Sequence, residues 1–350
     1  MQNTLGGPLL SRGTADPSAD AEFARIVGEL TRRRLLGGVA GAAAAAALTA
    51  CGPDGAASST ATSIPSGTRT FASDKGDVRI PRTPRRVVCT DFVTTDVAYD
   101  AGIMPVGIDG KSIDYVLAPA VSKFRGITQV RSAQGDLNVE AIAALKPDLI
   151  LQTTLTEKYY GQLSDIAPTV FLTYSNGGSN WAQIERRLGD ALGDSTRIDA
   201  LQKKYAAATA GIRARHAAVL AQYRWDLVDG DPGTWYLYSK TSPHGKVLTD
   251  AGMRLGARAA ALSKPFEPLS YELIGTLEDA GAIGIGVTNT GKPTAGTTEL
   301  TGQPLFARLR AVRAGRAFRL GPFFPVSYGA ALALLGDFDQ ALTTLTSGTQ

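Results

Sequence analysis

The 350-residue chain is 44% hydrophobic and 19% charged, with 39 Gly and 18 Pro; this is the balance of a globular protein with a sizeable core, and it excludes global disorder and fibrous architectures. A net charge of +4 is too slight for a dedicated nucleic-acid binder, so no nucleic-acid partner is expected. With only 2 His (His216, His244) and 2 Cys (Cys51, Cys89), the chain cannot gather the soft ligands of a zinc or iron–sulfur centre, and neither a direct metal site nor a resident cofactor is expected.

In chain order, residues 1–50 come first and read as an export signal. Arg32-Arg33-Arg34 precedes an uncharged Ala- and Gly-rich stretch of 16 residues, Leu35 to Ala50, short of the roughly 20 that cross a bilayer. The paired arginines resemble the twin-arginine export signal. Leu48-Thr49-Ala50-Cys51 resembles a bacterial lipobox, which makes Cys51 the expected lipidation site and anchors the chain to the outer face of the cytoplasmic membrane. Residues 51–67, almost all Gly, Pro, Ala, Ser and Thr, read as a flexible tether. Cys89, inside Val87-Val88-Cys89, is expected to be buried as a small hydrophobe without a disulfide partner.

From residue 68 the pattern is that of a folded α/β protein. Asp74-Lys75-Gly76-Asp77 between extended runs predicts a hairpin. Short apolar runs at 86–89, 106–108, 149–151 and 170–172 alternate with helical spacings at 93–101 and 139–145, predicting a parallel sheet flanked by helices over 68–189. Residues 190–223 keep helical spacing through Ile198, Leu201, Tyr205, Ala208 and Ile212 and predict one linking helix of about 27 residues, about 40 Å long. Runs at 226–228, 235–238, 283–287 and 317–320, with a closing helix over 328–345, predict a second α/β lobe over 224–350. The expected fold is therefore two lobes, each a mostly parallel sheet flanked by helices, joined by one long interlobe helix.

No G-x-S-x-G, S-x-x-K, H-E-x-x-H or G-x-G-x-x-G is present, so no enzyme activity is expected. Gly286 to Lys292 matches a phosphate-binding loop as far as the lysine, but Pro293 replaces the hydroxyl residue that would hold magnesium. That segment reads as a turn at a strand end whose Lys292 faces a ligand.

Several segments, each weak alone, occur together in order. They are Pro84-Arg85-Arg86-Val87-Val88, Asn138 to Ile142 with Leu145-Lys146-Pro147-Asp148-Leu149-Ile150, Ile166-Ala167-Pro168-Thr169, Ser270-Tyr271-Glu272-Leu273, Pro304-Leu305-Phe306 and Ala311 to Arg316. In this combination the chain resembles the periplasmic-binding-protein family that serves ABC importers of iron–siderophore, haem and cobalamin ligands. Gly281 and Phe306 depart from residues usual in that family.

The resemblance implies a monomeric, rigid two-lobed receptor whose cleft takes a ferric siderophore, hydroxamate type preferred, and delivers it to a permease dimer driven by a cytoplasmic ATPase. A haem or cobalamin receptor, or a sensing lipoprotein that does not transport, is the alternative. Cleft contacts are expected from loops at the carboxyl ends of the strands: Phe92, Tyr115, Arg131, Lys158, Tyr159 and Trp181 in the first lobe, and Tyr238, Lys240, His244, Lys292, Phe324 and Tyr328 in the second. Aromatics beside cations suit a bulky chelate with apolar faces and anionic oxygens. Glu140 and Glu272, one per lobe near helix starts, are the expected permease-docking residues.

Overall fold

Hydrophobic β-branched runs too short for helices set the sheets of the chain. A computed structural model describes residues 67–347 except 111–112, 132–134, 175–177 and 179; the expected signal, the lipidation site Cys51 and nearly all of the tether lie outside the described residues. The first lobe begins with an antiparallel hairpin, β1 (Thr68–Ser73) and β2 (Gly76–Pro81), at the position its turn residues predict. Five parallel strands follow: β3 (Val87–Cys89), β4 (Gly107–Ile108), β5 (Thr128–Gln129), β6 (Leu149–Thr153) and β7 (Thr169–Leu172), in the order β5-β4-β3-β6-β7. The strands β3, β6 and β7 are buried throughout, as a sheet covered on both faces requires. The hairpin leans on the outer strand, where Asp74 N donates to Phe171 O at 2.9 Å and Thr173 N donates to Asp74 Oδ2 at 2.7 Å, so the sheet edge is covered.

The second lobe holds β8 (Arg224–Asp231), β9 (Thr234–Tyr238), β10 (Arg254–Leu255), β11 (Phe266–Leu269), β12 (Ala282–Gly286) and β13 (Ala317–Leu320). The order is β11-β9-β8-β12-β13, with β10 beside the start of β8. Only β9 is reversed; it pairs antiparallel with β8 and β11, and the other pairings are parallel. The reversal follows from the two-residue turn Pro232-Gly233, which cannot join parallel neighbours. The fold is thus two mostly parallel α/β lobes, as the sequence predicts, with β5, β10 and β11 added to the strands legible in it.

The connection between lobes differs from expectation. In place of one helix over 190–223 there are three: Trp181–Leu192, Thr196–Arg215 and Ala217–Gln222. Gly193, at φ +90°, ends the first, and a side chain there would meet the Arg82 carbonyl oxygen at 2.3 Å. His216 leaves helical geometry at φ −114°, ψ 21° and ends the second. The linking helix proper has 20 residues, about 30 Å at 1.5 Å per residue. Its end is fastened to the closing helix Tyr328–Ser347: both Arg215 Nη2 and His216 Nε2 reach Asp339, at 2.8 Å each.

Trp181 and Tyr328, expected in the cleft, belong to this joint. Trp181 is fully buried and meets the rings of Tyr205 and Tyr328 edge-on at 5.8 and 5.0 Å. The three residues come from the first lobe, the linking helix and the closing helix. The positions of Trp181 and Tyr328 after strand ends suggested ligand contacts; helix packing claims both instead. Trp181→Ala is expected to destabilise the protein by about 3–5 kcal/mol, to be read as a lowered urea midpoint, with Trp181→Phe costing much less.

Candidate functional site

A cavity of about 340 Å³ opens between the lobes. The first lobe contributes Phe92, Tyr115 and Tyr174; the second contributes Asp229, Asp231, Tyr236, Tyr238, Ser242, Pro243, Pro265, Phe266 and Phe324. Phe92 opens the helix Phe92–Asp100 directly after β3. Its neighbour Asp91 is spent on that helix and on β6: the carboxylate accepts from Thr94 N at 2.9 Å, Thr153 N at 3.1 Å and Thr153 Oγ1 at 2.9 Å.

The second-lobe wall follows from strand periodicity. Side chains alternate along a strand, and antiparallel partners share a face. In register, Asp229 faces Tyr236, Leu227 faces Tyr238, and Tyr238 faces Phe266. One sheet face therefore carries Asp229, Asp231, Tyr236, Tyr238 and Phe266, while Trp235 and Leu237 between them are fully buried on the other. Tyr238 Oη donates to Asp229 Oδ1 at 2.7 Å, and Tyr236 Oη donates to Asp231 Oδ2 at 3.0 Å.

Aromatic rings run across the cleft floor from lobe to lobe. Phe92 lies 5.6 Å from Tyr115, Tyr115 lies 6.0 Å from Phe324, and Phe324 lies 5.8 Å from Tyr238. Beside them Asn289 of the second lobe donates to the carbonyl oxygens of Ile113, at 2.8 Å, and Val116 in the first. These bonds bridge the lobes beside the rings, and the cavity stays accessible to solvent: Tyr115 is 43% and Phe266 43% exposed.

Of the expected contacts, Phe92, Tyr115, Tyr238 and Phe324 come together in this cavity, and the cations do not. Arg131 forms a forked ion pair with fully buried Asp109, at 2.7 Å for both bonds. Lys158 pairs with Asp136 at 2.6 Å, and Tyr159 Oη donates to the same carboxylate at 2.5 Å. Lys240 and Lys292 are exposed and line no part of the cavity; the turn holding Lys292 is closed by Thr288 N donating to Lys292 O at 2.9 Å.

His244 is also corrected from cleft contact to core. It is fully buried, stacks on Phe323 at 4.1 Å behind Tyr238, and burial pushes its pKa down to about 3, so it is a neutral packing residue without access to a haem iron. Glu140 and Glu272 are exposed, one on each lobe. Asn138 caps the helix Val139–Ala144 by accepting from Ala141 N at 2.9 Å, whereas Glu272 lies on a 3₁₀ turn, Tyr271–Leu277.

Sequence reasoning missed Asp229, Asp231, Tyr236 and Phe266. The signal was present for three of them: Asp229-x-Asp231 and Tyr236-x-Tyr238 flank a tight turn at period two. Phe266 depends on a long-range strand pairing that no local pattern announces. Among the described residues no group of three or more His, Cys, Asp or Glu could hold a metal ion, and no helix is long and apolar enough to cross a membrane.

This architecture defines a class: a two-lobed α/β solute-binding protein with a preformed interlobe pocket. Residues 87–322 match the family model described as periplasmic binding protein, and the chain belongs to that family. It is 39% identical over 106 residues to the putative ABC transporter substrate-binding lipoprotein YhfQ of Bacillus subtilis (strain 168), covering 29% of this chain and 32% of that one. It is 35% identical over 126 residues to the iron(3+)-hydroxamate-binding protein YxeB of the same organism, covering 36% of each. The matched stretches thus span about a third of these curated relatives.

Solved structures align over far more of the chain. The siderophore periplasmic binding protein from the fuscachelin gene cluster of Thermobifida fusca superposes with a TM-score of 0.68 at 29% identity, over 76% of this chain and 98% of that one. Staphylococcus aureus SirA complexed with staphyloferrin B gives 0.64 at 25% identity, over 79% and 99%.

Burial pushes the Asp229 carboxyl up to about 7, against the lowering effect of the Tyr238 hydrogen bond, and nearby Asp231 adds to the rise. A carboxyl raised on folding stays protonated longer in the native state, so stability falls as pH rises from the ordinary carboxylate value of about 3.9 to about 7. Asp229→Asn keeps an acceptor for Tyr238 and is expected to stabilise the unliganded protein by roughly 2–4 kcal/mol at pH 8 and little at pH 4. Urea unfolding at the two pH values checks this; an equal change at both would contradict it.

Proposed function

We propose that the protein is an extracytoplasmic receptor that captures a ferric siderophore in the interlobe cavity and hands it to an ABC importer. The observation that carries this reading is a pocket walled by aromatic rings from both lobes, which Asn289 bridges beside it. Its about 340 Å³ falls in the size range of small-molecule sites, and ring faces suit a compact chelate whose outer surface is largely apolar. The names of its relatives, among them hydroxamate and siderophore binders, support the same ligand class. A hydroxamate chelate is preferred, because the lining offers phenols and carboxylates and, among the described residues, no lysine or arginine. Iron arrives as cargo inside its chelate, with no resident cofactor and no catalytic step. Phe92, Tyr115, Tyr238 and Phe324, joined by Tyr174, Tyr236 and Phe266, are the proposed contacts. Anchoring through lipidated Cys51 would hold the receptor at the membrane beside its permease.

Equilibrium binding to a panel of ferric siderophores, their metal-free forms, haem and cobalamin tests this. At least one ferric siderophore is expected to bind in the micromolar range or tighter and at least tenfold more tightly than its metal-free form, and Phe324→Ala is expected to weaken it about tenfold, the cost of one anchoring ring. Binding of haem or cobalamin with no ferric siderophore would overturn the ligand assignment.

Glu140 and Glu272 are proposed to dock the two lobes on the permease, since charges at the edge of a contact set orientation and encounter rate more than affinity. The variant carrying Glu140→Ala and Glu272→Ala is expected to keep ligand affinity within about twofold and to lose most uptake in cells. Normal uptake by that variant would remove the docking role and leave both glutamates as residues near helix starts.

A further inference from the structure

The charge of the cavity selects among chelates. Among the described residues, the basic side chains anticipated at the cleft are held elsewhere or stand outside its lining: Arg131 on Asp109, Lys158 on Asp136, and Lys240 and Lys292 exposed and not part of the wall. The two helix starts that border the cavity add little positive potential. Asp91 places a carboxylate on the helix behind Phe92, and at Ser242-Pro243 the proline has no N–H while Ser242 Oγ accepts from Gly245 N at 3.1 Å. What remains is Asp229 and Asp231, two residues apart on β8, both lining the cavity and each bonded to one tyrosine hydroxyl.

Resting on the siderophore-receptor reading above, we infer that Asp229 and Asp231 form a cation-accepting end of the cleft, selecting ferric chelates that carry a protonated amine over anionic ones. The surrounding rings reinforce this preference. Tyr236, Tyr238 and Phe266 pack within 6.4 Å of one another, and aromatic faces attract ammonium groups. Burial of Asp229 without a cationic partner already raises its pKa to about 7, so an incoming ammonium relieves an existing electrostatic strain, whereas a carboxylate or catecholate chelate adds to it. The order of the wall follows the order of such a ligand: the apolar iron-bearing body against Phe92, Tyr115 and Phe324, its charged tail toward β8.

The test compares two probes on the unaltered protein. Ferrioxamine B is a trihydroxamate whose three hydroxamates neutralise Fe(III), leaving one charge on a terminal ammonium; its N-acetyl derivative has the same iron centre and no charge. Calorimetric titration is expected to show the ammonium form bound at least tenfold more tightly, with the advantage shrinking as salt rises and falling to near unity in the variant carrying Asp229→Asn and Asp231→Asn. Ferric citrate and a ferric tris-catecholate, both anionic, complete the panel. Equal affinity for the two ferrioxamines, or tighter binding of either anionic chelate, overturns the cation preference while the siderophore reading stands. Failure of every ferric chelate to bind overturns that reading and this inference together.

Discussion

The first two backbone N–H groups of the closing helix Tyr328–Ser347 find acceptors in the opposite lobe, and the geometry of the cleft depends on that fact. Tyr328 N donates to Glu185 Oε2 and Gly329 N to Asp100 Oδ2, each at 2.7 Å. Helix starts always leave such donors to be satisfied; here both acceptors stand on first-lobe helices, Phe92–Asp100 and Trp181–Leu192. Burial raises the pKa of both carboxyls, Glu185 well above its ordinary value. A side chain at Gly329 would meet Asp100 Oδ1 at 2.4 Å, so a larger residue would push that carboxylate off its bond to Gly329 N. With the Trp181–Tyr205–Tyr328 rings packed beside these bonds, the lobes are set without a 40 Å strut, and a ligand entering the cavity has little left to order.

A fixed frame makes the second-lobe sheet decisive. Because β9 reverses, its tyrosines are brought into register with the carboxylates of β8 and with Phe266 of β11; a parallel strand in the same place would have aligned different side chains. The chemistry of the cavity is thus a product of one two-residue turn. Burying tyrosines next to aspartates also links protonation to occupancy, since the state of Asp229 depends on what fills the space in front of it.

Local order was legible in the chain. Several of the parallel strands hold short apolar runs, Val87-Val88-Cys89, Leu149-Ile150-Leu151 and Val170-Phe171-Leu172, because both sheet faces are covered there, and the helices between them keep their spacing, so the two-lobe architecture could be read directly. The linking helix was over-extended because Gly193 and His216 break it by backbone geometry, a left-handed φ at one and a non-helical turn at the other, while the apolar spacing runs on through both. At the site, rings at strand ends were visible as candidates, yet sequence position could not tell Phe324, which faces the cavity, from Tyr328 four residues later, which is sealed under the linking helix. Charge was the hardest to read. Arg131 and Lys158 look available until Asp109 and Asp136 are seen beside them, and those pairings, 22 residues apart in each case, exist only in three dimensions.

The placement of the three tryptophans gives the protein a built-in optical gauge. Trp181, Trp225 and Trp235 are all buried, and none lines the cavity. Substituting a lining residue therefore leaves the indole emitters in place, each buried away from the cavity. A coloured iron chelate in the cleft would dim them through space by resonance transfer rather than by contact, so the loss of emission would track how often the cleft is filled, independently of which wall residue has been changed.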